Sequence, residues 1–324
     1  MRRLAIVLLP AGLLVSVTAV AQQYPAKPVR VMVPFPPGGT PDIQIRMMGE
    51  HLTQRMGQPF VVDNRGGASG TIAMETAARA QPDGHTLIIG TVGNWTVNPH
   101  LFKVAFDVTR DFTHIIHIAT TPGVLIVHPA LPVNSVKDMI AHAQKNPGGL
   151  NYGSSGIGGF GHMCTELFSA LTKTRYTHVA YKGVAAAMTE LMGGHIQFMF
   201  NSAAPSMPHI KAARMRGLAT TGAARLAMLA ELPTVAEAGV PGYENTSWST
   251  ISGPANLPPA ITTRLNREMN AVLQLPDIRE RFTALGSTIT GTTPAQATEI
   301  LKSELAKYGR LIANAGIKPA SGAP

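Results

Sequence analysis

The sequence has 324 residues, of which 45% are apolar and 14% are charged, a balance that favours a folded globular protein and excludes a disordered chain. The formal net charge of +9 gives the protein a mild attraction for anions. Nucleic acid is not the predicted anion, because the basic residues after Arg3 are scattered singly and aromatic residues make up only 6%. Small anions fit this composition better. Cys164 is the single cysteine, so an intramolecular disulfide is excluded.

The first 21 residues have the layout of a signal peptide. Two arginines precede an uncharged apolar stretch over residues 4–17, and Ala19-Val20-Ala21 supplies the small residues of a cleavage site. An uncleaved anchoring helix is the alternative interpretation, but Pro10 interrupts the stretch. We therefore predict export with cleavage near Ala21. The remaining chain is long enough for two domains or one large α/β unit.

The mature chain begins with apolar runs that alternate with helical patterns. The predicted strands are Val29 to Phe35, Phe60 to Asp63 and Thr86 to Gly90, and the predicted helices between them are Thr40 to Met56 and Thr71 to Ala80. This alternation predicts right-handed βαβ units and a parallel sheet.

A second set of elements follows with the same order, which predicts two similar lobes. Its predicted strands are Ile115 to Ala119, Val124 to Val127, Asn151 to Ser155, Thr177 to Val179 and Ile196 to Phe200, and its helices are Val136 to Lys145, Phe160 to Leu171 and Ala185 to Met192. Three helices close the chain, over Ile261 to Leu273, Asp277 to Leu285 and Pro294 to about Ala315, the last with a capping box at Thr293 and Gln296.

Two glycine-rich loops join a strand to a helix, and both are candidate anion sites. The first loop, residues 35–42, reads Phe-Pro-Pro-Gly-Gly-Thr-Pro-Asp, with Thr40 as the predicted helix cap and Asp42 near the positive end of the helix dipole. Glycines let the backbone approach a ligand, and the unpaired amides of a helix start bind anions. An ordinary strand-to-helix turn is the alternative interpretation.

The second loop, residues 153–162, reads Gly-Ser-Ser-Gly-Ile-Gly-Gly-Phe-Gly-His and adds two hydroxyls to the amides. Its Gly156-x-Gly158-x-x-Gly161 spacing is that of dinucleotide-binding proteins, but no Asp or Glu follows between Leu167 and Thr189 to hold a ribose. Neutral donors at a helix start favour a carboxylate over NAD. His162 is a candidate near the ligand, with a core role as the alternative, and Lys182 could steer an anion or be an ordinary exposed lysine.

Enzyme and metal motifs are largely missing from the sequence. It contains no Gly-x-Ser-x-Gly, P-loop or His-Glu-x-x-His motif. The spacing of His114 and His117 could suggest a metal, but on a strand the two side chains are expected to face opposite sides, which favours a structural role. An exported hydrolase using Ser155 with His162 would need an acidic partner that the sequence does not identify. No catalytic residue, metal or cofactor is predicted.

Short motifs lie along nearly the whole mature chain: Tyr24-Pro25-x-Lys27-Pro28-Val29-Arg30, Pro34-Phe35-x-Pro37-Gly38-Gly39 with Asp42, Asn64-Arg65-x-Gly67-Ala68-x-Gly70, Pro82-Asp83-Gly84, Asn98-Pro99, Gly153-Ser154-Ser155-Gly156, Tyr181-Lys182-Gly183 and Pro233-Thr234-x-x-Glu237-x-Gly239. In this combination the chain resembles the Bug family, the extracytoplasmic receptors of tripartite tricarboxylate transporters. The resemblance implies an α/β fold of the type II periplasmic-binding-protein class, in which two Rossmann-like lobes joined by two crossing strands close over the ligand. It places lobe 1 at residues 24–120 plus 248–324 and lobe 2 at residues 121–247.

The resemblance also implies which residues contact the ligand. They are Phe35, Gly38, Gly39, Thr40, Asp42, Val92 and Asn94 in lobe 1, and Ser154, Ser155, Gly156, Gly158, His162, Tyr181, Lys182 and Asn201 in lobe 2. Two positions depart from the family pattern. Asn201 stands where many members carry an acid, which favours a ligand without an amino group, such as a dicarboxylate or an aromatic acid. Pro41 removes one donor amide from the first loop.

The expected function is therefore a monomeric periplasmic receptor that delivers a small carboxylate to the membrane permease of a tripartite tricarboxylate transporter. A receptor that signals to a regulator is the alternative, and an exported hydrolase is a third hypothesis.

Overall fold

A computed structural model describes residues 24–314 and 316–317. The predicted signal peptide, residues 1–21, lies outside this range. Within the described residues, no helix combines the length and the apolar character that crossing a membrane requires.

The predicted alternation of strands and helices is present, with extra elements over residues 93–101 and after residue 200. The strands are β1 (Val29–Val33), β2 (Phe60–Asn64), β3 (Thr86–Thr91), β4 (Phe112–Val127), β5 (Asn151–Ser154), β6 (Thr177–Ala180), β7 (Phe198–Ser202), β8 (Arg216–Thr220), β9 (Thr246–Pro254) and β10 (Thr288–Ile289). The helices are α1 (Thr40–Met56), α2 (Thr71–Ala78), α3 (Asn98–Leu101), α4 (Val136–Lys145), α5 (Phe160–Thr172), α6 (Val184–Met192), α7 (Ala203–Lys211), α8 (Pro259–Leu273), α9 (Pro276–Ala284) and α10 (Pro294–Asn314). A π-helical segment, Gly93–Val97, precedes α3.

The strands form two similar halves that share β4. The order is β2-β1-β3-β9-β4 in the first half and β6-β5-β7-β4-β8 in the second. In each half the central strand, β1 or β5, pairs in parallel with the next two strands of its set. An antiparallel strand then follows, β9 in the first half and β4 in the second. The carboxyl ends of β1 and β5 therefore carry the two glycine loops in equivalent places.

The prediction of separate strands at 115–119 and 124–127 is wrong, because β4 is one strand of 16 residues. Residues 112–122 of β4 pair with β9, and residues 123–127 pair with β7 and β8. The polar and glycine residues between the two apolar runs, Thr120 to Gly123, resemble a turn in sequence. They remain extended because β9 pairs with Thr120 to Pro122 and β7 pairs with Gly123.

Four apolar clusters cover the faces of the sheet. In α1, Ile45, Met48, Leu52 and Met56 recur every three or four residues and pack into the first cluster with α8 and α9. Met163 of α5 belongs to the same cluster as Val97 and Leu101 of the first half. Apolar packing therefore joins α5 to the π-helical segment across the two halves.

The prediction that His114 and His117 face opposite sides is also wrong. Their rings contact Trp95 and Trp248, two members of the same apolar cluster. Register shifts in β4 between residues 114 and 116 and between 117 and 119 break the regular alternation of side chains. Both histidines are buried in core contacts, and nowhere in the described chain are three His, Cys, Asp or Glu side chains grouped to hold a metal ion.

Candidate functional site

The first loop is closed by Asp42 and not, as predicted, by Thr40. Thr40 is the first residue of α1, and the N-cap is Gly39, whose extended backbone needs no side chain. The Gly38 amide, with φ at +90°, donates to Asp42 Oδ2 over 2.9 Å. A side chain in the first helical turn thus accepts the amide that precedes the cap.

Asp42 is fully engaged within its own half. Its Oδ1 accepts hydrogen bonds from Arg46 Nε at 3.0 Å and from Asn64 Nδ2 at 2.9 Å. Burial alone would raise the pKa of Asp42, but the hydrogen bonds from Arg46, Gly38 and Asn64 outweigh it and hold the pKa below its usual value. Asp42 is therefore ionised, its charge is offset by Arg46, and its hydrogen bonds order the loop.

The second loop repeats this arrangement with a histidine in place of the carboxylate. Gly158, with φ at +77°, precedes the cap Gly159 and donates its amide to His162 Nδ1 over 3.1 Å. His162 is the third residue of α5, as Asp42 is the third residue of α1. The acceptor in the second loop, a neutral imidazole, is therefore uncharged, whereas the acceptor in the first loop is a carboxylate.

Ser154 and Ser155 have different roles in this geometry. Ser154 is buried, and its Oγ accepts the Gly156 amide at 3.1 Å and lies 2.7 Å from His178 Nε2. Ser155 is exposed. Tyr181, which directly follows β6, donates its amide to the Ser154 carbonyl. This bond connects the end of β6 to the base of the loop.

A stack of aromatic rings lies behind the second loop. The ring centroids of His162 and His178 are 4.4 Å apart, and Tyr152 stacks on His178 at 4.7 Å. The Tyr152 hydroxyl donates to Glu166, whose carboxylate is 3.8 Å from His162 Nε2. Burial lowers the pKa of His162 to about 3 and that of His178 to about 4, so both rings are neutral at pH 7. Neither ring nitrogen of His162 is hydrogen-bonded to Ser155, so the pair predicted for a hydrolase is not assembled as nucleophile and base.

Several amides of the two loops have no acceptor among the described residues. They are those of Gly39, Thr40 and Asp42 in the first loop, and of Ser155, Ile157, Phe160, Gly161 and His162 in the second. Amides of this kind at a helix start, combined with the helix dipole, form an anion-binding surface. Each half of the protein thus presents one.

The second loop touches the first half of the molecule. A methyl group at Gly93 would lie 3.2 Å from the Gly158 carbonyl oxygen, and one at Gly158 would lie 3.2 Å from Val97 and 3.6 Å from Asn98. The Asn98 amide in turn donates to the Ser69 carbonyl, in the loop after β2. The two halves therefore meet where the second loop crosses the π-helical segment.

The remaining predicted residues occupy varied positions. Phe35 is partly buried against the first apolar cluster, and Val92 is buried in the second. Asn94 is also buried, accepts the Thr91 amide and donates to the Ser69 carbonyl, so its side chain is engaged in the first half. In the second half, Asn201 is buried and donates to Ser206 Oγ, while Lys182 is exposed.

Sequence reasoning missed three contributors to this geometry: His178, Gly93 and Gly161. Nothing in the sequence around His178 marks it, because only pairing of β5 with β6 brings it to Ser154. The sequence did contain a signal for Gly161, because the third glycine of the dinucleotide-binding spacing permits close packing of a helix on a strand. A methyl group at Gly161 would lie 2.5 Å from the Phe200 carbonyl oxygen on β7. The glycine spacing therefore reflects this packing and does not require NAD.

Comparisons with known proteins agree with this architecture. A family model described as "Tripartite tricarboxylate transporter family receptor" matches residues 44–317. The chain is 33% identical over 290 residues to the UPF0065 protein in the tcbD-tcbE intergenic region of Pseudomonas sp. (strain P51), covering 89% of this chain and 86% of that one. It is 31% identical over 310 residues to protein BugT of Bordetella pertussis, covering 95% of this chain and 94% of that one.

Solved structures share the fold over most of the chain. Rpa4515 of R. palustris, solved with adipate, has a TM-score of 0.87 and 38% identity, covering 92% of this chain and 100% of that one. MatC of Rhodopseudomonas palustris, solved with bound malate, has a TM-score of 0.83 and 27% identity, covering 89% and 100%. The periplasmic binding protein BugD has a TM-score of 0.84 and 28% identity, covering 91% and 99%. The predicted type II periplasmic-binding-protein fold is confirmed. With a family match that spans most of its length, the chain belongs to the tripartite tricarboxylate transporter family of solute-binding receptors.

Proposed function

We propose that this protein is a periplasmic receptor that captures a small carboxylate between its two glycine loops. The observation that carries the proposal is the pair of equivalent helix starts, each with amides that lack acceptors within the described chain. A carboxylate has two oxygen atoms that each accept more than one hydrogen bond, so it suits two such surfaces. The relatives solved with adipate and with malate both hold carboxylates.

The anchor proposed here is electrically neutral. Arg46, a cation beside the first loop, is engaged with Asp42 and Asn64. The second loop rests on histidines that are neutral at pH 7. The carboxylate would therefore be held by amides and helix dipoles, which favours reversible capture.

The ligand class proposed is a dicarboxylate or an aromatic acid without an amino group. Asn201 is neutral and buried, and its amide donates to Ser206 and lies against the Met188 sulfur. A ligand ammonium group would find no carboxylate at this position, whereas a second acid or an apolar tail would meet no repulsion.

The proposal includes a location, a partner and a division into lobes. We expect a signal peptide over residues 1–21, a monomeric mature protein and delivery to the permease of a tripartite tricarboxylate transporter. Lobe 1 would comprise residues 24–120 and 248–324, and lobe 2 residues 121–247. The change of pairing partner in β4 after Pro122 supports a boundary near this point.

A thermal-shift screen of the mature protein tests the ligand class. We expect adipate, malate or an aromatic acid to raise the melting temperature, because a ligand at about 100 times its dissociation constant adds about 2.7 kcal/mol to the free energy of unfolding. Glutamate tests the amino group, and adipamide is the matched control without carboxylates. If no carboxylate raises the melting temperature above the shift with adipamide, the proposed function is wrong.

Replacing Gly93 by alanine tests whether the halves must meet at this point for binding. The added methyl group would press on the Gly158 carbonyl from 3.2 Å and hold the second loop away, so adipate affinity is expected to fall about tenfold by calorimetry. Gly253→Ala is the matched control, because its methyl group would also have a neighbour at 3.2 Å, but within the first half, on Leu257. Equal losses of affinity in the two variants would contradict the role of this contact.

A further inference from the structure

Over residues 155–158 of the second loop, unbonded and bonded amides alternate. The Gly156 amide donates to Ser154 Oγ and the Gly158 amide donates to His162 Nδ1, whereas those of Ser155 and Ile157 have no acceptor among the described residues. Both bonded glycines have positive φ, +128° and +77°, and glycine adopts this conformation about as readily as a negative φ, so the glycine backbone alone does not fix the loop. Its shape therefore depends on what holds these two amides.

Two histidines hold them, His162, which is buried, and His178, which is partly buried. His162 accepts the Gly158 amide directly, and His178 binds the Ser154 hydroxyl that accepts the Gly156 amide. The two rings stack on each other and on Tyr152, which restricts their rotation. Hydrogen bonds therefore link α5, through His162, to the Gly158 amide, and β6, through His178 and Ser154, to the Gly156 amide.

We propose that His162 and His178 are positioning residues, which hold the Gly156 and Gly158 amides inward so that those of Ser155 and Ile157 face the ligand. The inference rests on the proposed function. His178 does not touch the ligand in this scheme and acts through Ser154. In the first loop a single carboxylate, Asp42, holds the Gly38 amide, and Arg46 offsets its charge.

Substitutions at His162 separate its acceptor role from its bulk. His162→Leu removes the acceptor, and His162→Asn restores one at the third helical position, as Asp42 does in α1. We expect His162→Leu to lose adipate affinity about tenfold or more and His162→Asn to recover most of it. His162→Asp keeps an acceptor but adds a charge, so it is expected to bind adipate more weakly than His162→Asn.

A double-mutant cycle tests the path from His178 through Ser154. His178→Phe keeps an aromatic ring in the stack but loses the bond to Ser154, and Ser154→Ala removes the hydroxyl. If His178 acts through this hydroxyl, the double variant loses no more adipate affinity than Ser154→Ala alone. Losses that multiply in the double variant would overturn the path.

Amide hydrogen exchange of residues 153–162 in the ligand-free protein provides a readout that does not depend on binding. Gly158 is expected to exchange faster in His162→Leu and near the wild-type rate in His162→Asn, with His195→Gln on the surface as the control. Unchanged exchange at Gly156 and Gly158 in all variants would overturn the inference even if adipate binds. If wild-type protein binds no carboxylate, the proposed function fails, and exchange still decides whether the histidines order the loop.

Discussion

Between pH 7 and pH 5 the free energy of unfolding is expected to fall by several kcal/mol. Burial lowers the pKa of His114 and of His117 to about 4 and that of His162 to about 3, and all three are almost fully buried. In the unfolded chain these imidazoles return to a pKa of about 6.5. Each therefore contributes about 2 kcal/mol to the loss at pH 5.

The sign follows from proton binding. Between about pH 6.5 and pH 4 the unfolded state binds protons at these histidines and the folded state does not. Acid therefore favours the unfolded state, and the contribution of each histidine is lost progressively until pH falls through its folded pKa. His178 acts in the same direction but is less buried.

Urea unfolding at pH 7, 6 and 5 measures this loss. His117→Phe keeps a ring against Trp248 and is expected to flatten the pH dependence by up to about 1.4 kcal/mol per pH unit. The exposed His195, replaced by Gln, is the surface control. A wild-type free energy of unfolding that is constant from pH 7 to pH 5 would show that these histidines become protonated in the folded state as readily as in the unfolded one.

Gly161→Ala is expected to destabilise the protein by about 1–3 kcal/mol and to abolish tight adipate binding. The new methyl group would lie 2.5 Å from the Phe200 carbonyl oxygen, and backbone cannot move aside as a flexible side chain can. The start of α5 must then shift away from β7. The unbonded amides of Phe160, Gly161 and His162 would move with it.

Gly193→Ala, at the end of α6, is the matched control, because its methyl group would press mainly on the His195 ring at 3.3 Å. Urea unfolding and calorimetry with adipate report stability and affinity separately. If Gly161→Ala is destabilised but binds adipate with wild-type affinity, the packing of α5 on β7 is not needed for binding, and the prediction is wrong.

Local signals in the sequence predicted much of the site's framework. The glycine, proline and helix-start signals of the two loops depend on neighbours within a few residues, so α1 and α5 begin where the pattern indicated. The alternating strand and helix patterns likewise predicted β1 to β3 and β5 to β7. Strand β9 escaped prediction because its polar residues, such as Ser249 and Ser252, are buried only by pairing with β3 and β4.

By itself the sequence determined the family, the α/β class and the two loops with their helix starts, because these depend on local residue order and on shared motifs. The tertiary structure alone decided which amides of those loops lack acceptors. Asp42 reaches Gly38 within one helical turn, but Ser154 meets His178 only because β5 and β6 pair, 24 residues apart in the chain. The close approach of Gly93 to Gly158 likewise depends on how the two halves of the sheet pack. Contacts between distant segments have no local signature, so the orientation of the binding surface came from packing.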